Sequence, residues 1–216
     1  MNSLASTEIQ YFIKLYGSQH RVNRPRLSHT FATFSEKRTS PDGSETIRDF
    51  TISWLPRDGV INPLGPPETG RNYSLAETFE WLDQAGSIVR WESLETEIQQ
   101  SLFQAAEERF QELAEGPLRY KMFDRVESRP HEVSNCIHAV SDLPLALSQI
   151  GMATTGRLHG TQASRFVYRF LSPFYLVRPV FSEEEERLFD AVQRGVILSK
   201  ESSASTPPDS EDVPFP

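Results

Sequence analysis

Aromatic and aliphatic residues crowd into short runs along the first quarter of the chain, and turn-forming residues divide those runs from one another. Tyr11 to Tyr16 and Leu27 to Phe34 are bounded by Gly17, by Pro25 and by a polar stretch, the pattern expected of β-strands. Within the second run, His29, Phe31 and Thr33 share one face while Thr30, Ala32 and Phe34 share the other, because successive strand side chains point to opposite sides. Ile47 to Leu55 reads as a third strand. The intervening Ser40-Pro41-Asp42-Gly43-Ser44 carries the residues that favour a tight turn, so the second and third strands are expected to form a hairpin.

The pattern then changes. Residues Pro56 to Asn72 are rich in proline and glycine and are expected to form a loop. Ser74 followed by Glu77 makes a capping box, and Leu75, Phe79, Trp81 and Leu82 give the helix behind it an apolar side that ends at Gly86. Ser87 to Trp91 suits a short strand. From Leu94 to Glu115 the apolar positions Leu94, Ile98, Leu102, Phe103, Phe110 and Leu113 recur near the helical period, with acids and glutamines between them, and Gly116-Pro117 stops the helix. Leu118 to Val126 alternates as a strand would. Cys136 to Leu147 is apolar enough for a buried helix that Pro144 ends or kinks, and Thr161 to Leu171 predicts another. Ser182 with Glu183 to Glu186 suits a last helix start, where acids complement the positive end of the dipole. Together these elements predict an α+β fold. One domain is expected over residues 1–198, with 199–216 a disordered tail rich in Ser, Pro and acids.

Composition narrows the class. With 216 residues, 38% of them hydrophobic and 24% charged, the chain has the make-up of one globular domain. A formal charge of -8, from 30 acidic against 22 basic residues, opposes nucleic-acid binding unless the basic groups cluster. The densest basic stretch, Arg21 to Arg26, reads as a solvated loop. No apolar run approaches the roughly 18 to 20 residues of a membrane-spanning helix. Met1 to Gln10 lacks the basic and apolar pattern of a secretory signal, so a cytoplasmic location is the default expectation.

The chain has one cysteine, Cys136, which excludes an intramolecular disulfide and a cysteine-rich zinc site. Ser134 or Asn135 can cap a helix whose first turn holds Cys136. Free amides at a helix start stabilise a thiolate and so favour nucleophilic chemistry. A nucleophilic thiolate needs a proton acceptor, for which histidine is suited. His29, among small and aromatic residues on its strand, is the candidate base.

The segment Asn135-Cys136-Ile137-His138-Ala139 resembles the Asn-Cys-x-His-Phe motif of circularly permuted papain-like proteins, a group that includes permuted NlpC/P60 hydrolases and lecithin:retinol acyltransferase-like enzymes. In that group histidine precedes cysteine along the chain, as His29 precedes Cys136. The resemblance, over roughly residues 27–145, implies a permuted papain-like fold in which a small antiparallel sheet packs against helices, with a cysteine at a helix start facing a histidine on a strand. It further implies acyl transfer through a thioester, on a peptide, amide or lipid ester, ending in hydrolysis or transfer to another acceptor. A third polar group would orient the imidazole from the neighbouring strand, with Ser53 placed ahead of Thr51.

Other assignments compete with this one. A lone cysteine on an apolar helix is commonly a small buried hydrophobe. His138, two residues along the helix from Cys136, points elsewhere and suits a core hydrogen bond. His159 is the rival base, only 23 residues beyond Cys136. His20 and His131 are assigned to solvated loops. His131, Cys136 and His138 could approach one ion but lack paired-ligand spacing, so neither a metal nor a cofactor is expected. The expectation is therefore a cysteine hydrolase or acyltransferase with Cys136, His29 and Ser53. Its alternative is a catalytically silent binding or scaffold domain, in which Phe166, Tyr168, Phe170, Phe174 and Tyr175 could line a partner groove. A thiol redox sensor is disfavoured because the chain has no resolving cysteine.

Overall fold

A computed structural model describes residues 6–20, 28–62, 65–122, 132–143, 161–177 and 187. Its first element is the strand β1, Glu8–His20, longer at both ends than the aromatic run that announces it. β2, His29–Thr39, pairs antiparallel with β1 in a register that sets Leu15 opposite Ala32 and Ile13 opposite Phe34. β3, Glu45–Ile52, returns from β2 through the expected turn, closed by bonds between Ser40 and both Gly43 and Ser44, with Gly43 at φ 82°. A positive φ is where glycine alone carries no steric penalty.

The third hydrophobic run is divided, not continuous. After Ile52 the chain leaves the first sheet, and β4, Trp54–Pro56, pairs with β5, Glu68–Asn72, in a second sheet. β5 is a correction to the loop expected over residues 56–72. Its strand character comes from its partners, because Gly70 leaves a gap that the Trp54 indole fills: a Cβ there would meet Trp54 Cζ2 at 1.9 Å.

Helix α1, Leu75–Gln84, starts on the expected capping box, with Ser74 and Glu77 satisfying each other's backbone N–H groups. Gly86, at φ 64°, turns the chain into β6, Ser87–Glu92, which pairs with β1. The helix expected from Leu94 begins later. Thr96–Ile98 forms β7 beside β1, Leu94 is exposed, and α2 covers only Gln100–Glu115. Leu94 and Ile98 match the helical period, but edge pairing to Tyr11–Ile13 satisfies the backbone of this segment before the helix starts.

The expected strand over 118–126 is seen as β8, Arg119–Tyr120, which bonds β5 on one side and, in parallel, β9, Val133–Ser134, on the other. Helix α3, Cys136–Ser141, follows, and α4 spans Thr161–Tyr175. Pro144, the acidic helix start at Ser182–Glu186 and the 199–216 tail lie outside the described residues.

The first sheet has the order β3-β2-β1-β6 with β7 beside β1, and the second the order β4-β5-β8-β9. The fold is therefore α+β, built on antiparallel pairing with one parallel contact. Alternation along the strands of the first sheet produces two buried layers of unequal size. One contains Ile13, Leu15, Ala32, Phe34 and Ile52 together with Trp54 and buried residues of α2, α3 and α4, Cys136 among them. The smaller contains Tyr16, Phe31 and Leu82, bordered by Leu75, Trp81 and Val89, and its helix is α1. Phe166 and Tyr168 belong to the larger core, which accounts for them without the partner groove considered above.

Candidate functional site

Cys136 is the first residue of α3, and the local sequence explains why the helix starts there. The Asn135 side-chain carbonyl accepts from the His138 N–H at 2.8 Å, and the Asn135 backbone carbonyl accepts from Ala139 N–H. Such a cap satisfies a donor that the first turn cannot bond internally. Behind the cap, the Trp54 indole N–H donates to the Ser134 carbonyl at 3.1 Å, and Arg109 Nη2 donates to Ser134 Oγ at 3.0 Å. These two bonds hold β9 and the start of α3 against β4 and α2.

The thiol, however, faces inward. Cys136 is 8% exposed, and Ile137, Ala139 and Val140 beside it belong to the same apolar core. All six residues of α3 are buried. His138 is buried too.

His29 opens β2 and has no exposed surface. Its ring stacks on Phe31, with centroids 5.3 Å apart, and meets Trp81 of α1 edge-on at 5.6 Å. Nε2 lies 2.9 Å from Ser53 Oγ, and Ser53 Oγ lies 2.8 Å from Thr78 Oγ1 on α1. Thr78 Oγ1 is also 2.7 Å from the Ser74 carbonyl, which can only accept. Thr78 Oγ1 is placed to donate both to Ser53 Oγ and to the Ser74 carbonyl, and whether His29 Nε2 donates to Ser53 or accepts from it follows the tautomer of the ring. Nδ1 is buried and has no hydrogen-bond partner among the described residues. Burial pushes the imidazole down from 6.5 to about 3, with no charged group contributing. It is a neutral ring at physiological pH and a poor proton acceptor.

Of the residues singled out in the sequence, the structure brings His29 and Ser53 together. Thr51 lies on the same sheet face but one pair further along, where it bonds Thr33 at 3.2 Å. Cys136 is not brought to this pair. His29 and Phe31 face α1, whereas Ala32 and Phe34, on the other side of β2, face the core that contains Cys136. The β2 backbone runs between thiol and imidazole. Thr30, the neighbour of His29, confirms the alternation by pointing to the larger core, where it bonds Ser164 of α4 at 2.9 Å. His20, assigned to a loop, instead ends β1 and is half-buried. His131 and His159 lie outside the described residues. Among the described residues no group of three or more His, Cys, Asp or Glu side chains could hold a metal ion.

Thr78 is the participant that carries no mark in the sequence. A threonine on the apolar side of a helix looks like a spacer, and only the packing of α1 on the sheet shows that its hydroxyl completes the His29–Ser53 chain.

These features define an α+β protein with a buried His–Ser–Thr relay on one sheet face and a capped, buried cysteine on the other. No family model, no curated protein and no solved structure matches the chain. Among the described residues no helix is long and apolar enough to cross a membrane.

Proposed function

We propose that this chain is a non-catalytic binding or scaffold domain, in which Cys136 and His29 serve packing and fold definition. The observation that carries the reading is the separation of thiol and imidazole by the β2 backbone, with both residues buried. Acyl transfer by a cysteine requires thiol and base within hydrogen-bond reach of each other and of an entering carbonyl. Neither requirement is met by a histidine whose one bonded nitrogen belongs to Ser53 and whose basicity burial has removed.

A second reading has one observation in its favour. Asn135 caps α3 and Cys136 occupies its first position, as in the permuted papain-like cysteine hydrolases and acyltransferases that the Asn135–Ala139 segment resembles. That reading requires a base other than His29 and an opening that bares the sulfur.

Alkylation separates the two. Iodoacetamide at pH 7 is expected to modify Cys136 in the native protein roughly 100-fold more slowly than in urea, since a core thiol reacts only through local opening. Native modification faster than that of the unfolded chain would overturn the scaffold reading in favour of an activated nucleophile.

A further inference from the structure

We propose that His29 is an acid-sensitive latch, whose protonation releases α1 from the sheet while the larger core stays folded. The geometry has three parts. First, the relay through Ser53 to Thr78 is a buried polar tie between α1 and the sheet, and it ends on His29. Second, a charged His29 ring must carry an N–H on Nδ1, which has no hydrogen-bond partner among the described residues. A buried N–H without a partner is strongly unfavourable, more so on a charged ring. Third, water can reach the ring by moving α1, because the opposite side of β2 is closed by the larger core.

Among the described residues, the side chains shown in contact with the His29 ring are uncharged. From β1 comes Tyr16, whose phenol burial keeps neutral and which stacks on Phe31; from β2 itself come Phe31 and Thr33; after β3 comes Ser53. From α1 come Thr78 and Trp81. Glu77, an acid of α1, is exposed and turned to Ser74 and Arg71. The lowered basicity of the ring agrees with this inventory, since burial is its sole cause.

Releasing α1 disrupts little else. Its buried residues are Thr78 and Leu82, and the cluster beneath it is small and distinct from the core of α2, α3 and α4. Other ties of α1 include the Trp81 indole N–H to the Gly59 carbonyl at 2.8 Å, the exposed Arg71–Glu77 pair, and edge contacts of the half-exposed Phe79 ring with Tyr16 and Phe31. An open α1 would bare Tyr16, Phe31, Leu82 and Trp81, an apolar surface that the closed form hides.

The test is amide hydrogen exchange on the intact chain at pH 6.5 and 4.5, corrected for intrinsic exchange, comparing α1 with α2. The opening equilibrium of α1 should rise about fiftyfold across those two pH units, since an open-form ring of ordinary basicity is already half protonated at 6.5 and the rise approaches tenfold per unit only below it. α2 should keep protection at pH 4.5 that α1 has lost. In His29→Gln, which can still bond Ser53 but cannot be protonated, the rise in α1 opening should disappear. Simultaneous loss of protection by both helices in the wild type, or an α1 protected equally at both pH values, would overturn the latch even if the variant failed to fold. An unchanged rise in His29→Gln would overturn it as well.

Discussion

At the scale of single residues, the determining fact is which side of β2 a side chain leaves. His29 and Thr30 are neighbours in the chain, yet one bonds Ser53 beneath α1 and the other bonds Ser164 of α4. The sequence displayed this alternation, and it also displayed Ser53 as a group able to meet His29. It could not display on which face Cys136 would be buried, because that depends on how α3 packs from more than a hundred residues away. The buried imidazole has a consequence for stability. The folded chain excludes a proton that the unfolded chain binds below pH 6.5, so the contribution of His29 is complete above that pH. It falls by about 1.4 kcal/mol per unit as the pH drops from 6.5 toward 3. Urea unfolding at pH 7 and pH 5 should show the loss in the wild type, and His29→Gln should lack that component. Gly70 is decisive in a different way. The Trp54 indole occupies the space of any side chain at that position, so Gly70→Ala should destabilise by about 1 to 3 kcal/mol, read as a lower urea midpoint.

Whole elements follow local rules where those rules are strong and yield to pairing where they are weak. The turn around Asp42-Gly43 and the start of α1 were legible in the sequence because each rests on contacts within a few residues: Asp42 accepts from Ser44 N–H at 2.9 Å, and Glu77 accepts from Ser74 N–H at 2.9 Å. β5 and β7 were not legible, since Glu68–Asn72 and Thr96–Ile98 become strands only through partners distant in sequence. The late start of α2 has the same origin. A prediction belongs to α1: Ser74→Ala removes the hydroxyl that accepts from Glu77 N–H and should lower stability by about 1 kcal/mol. Thermal denaturation read by circular dichroism measures it. The midpoint should fall by a few degrees, whereas an unchanged midpoint would show that the cap contributes nothing to a helix held by its tertiary contacts.

For the molecule as a whole, a sheet with two buried layers divides the chemistry. The thiol lies with the larger core of α2, α3 and α4, and the imidazole with the smaller one under α1. A charged network adds stiffness at the far end of the sheet, where the buried Glu36 carboxylate accepts from Arg38 at 2.5 Å and Arg48 at 3.3 Å, while Arg48 also reaches Glu107 of α2 at 2.6 Å. These arginines, Arg38 foremost, hold the Glu36 carboxyl below its usual range. The α+β class, the antiparallel hairpin and the helix opening at Cys136 were all readable from pattern and motif. The relation between the two sheet faces was not, because it is a property of packing over the full length of the chain. The most direct measurement of the central claim is a proton-NMR titration of the His29 ring in the wild type and in Cys136→Ser. Separation by the sheet predicts a ring that stays neutral to about pH 3 or until α1 opens, with the same profile in both proteins. A ring that titrates near neutrality and shifts when the sulfur is replaced would place thiol and imidazole in one pair and contradict the account.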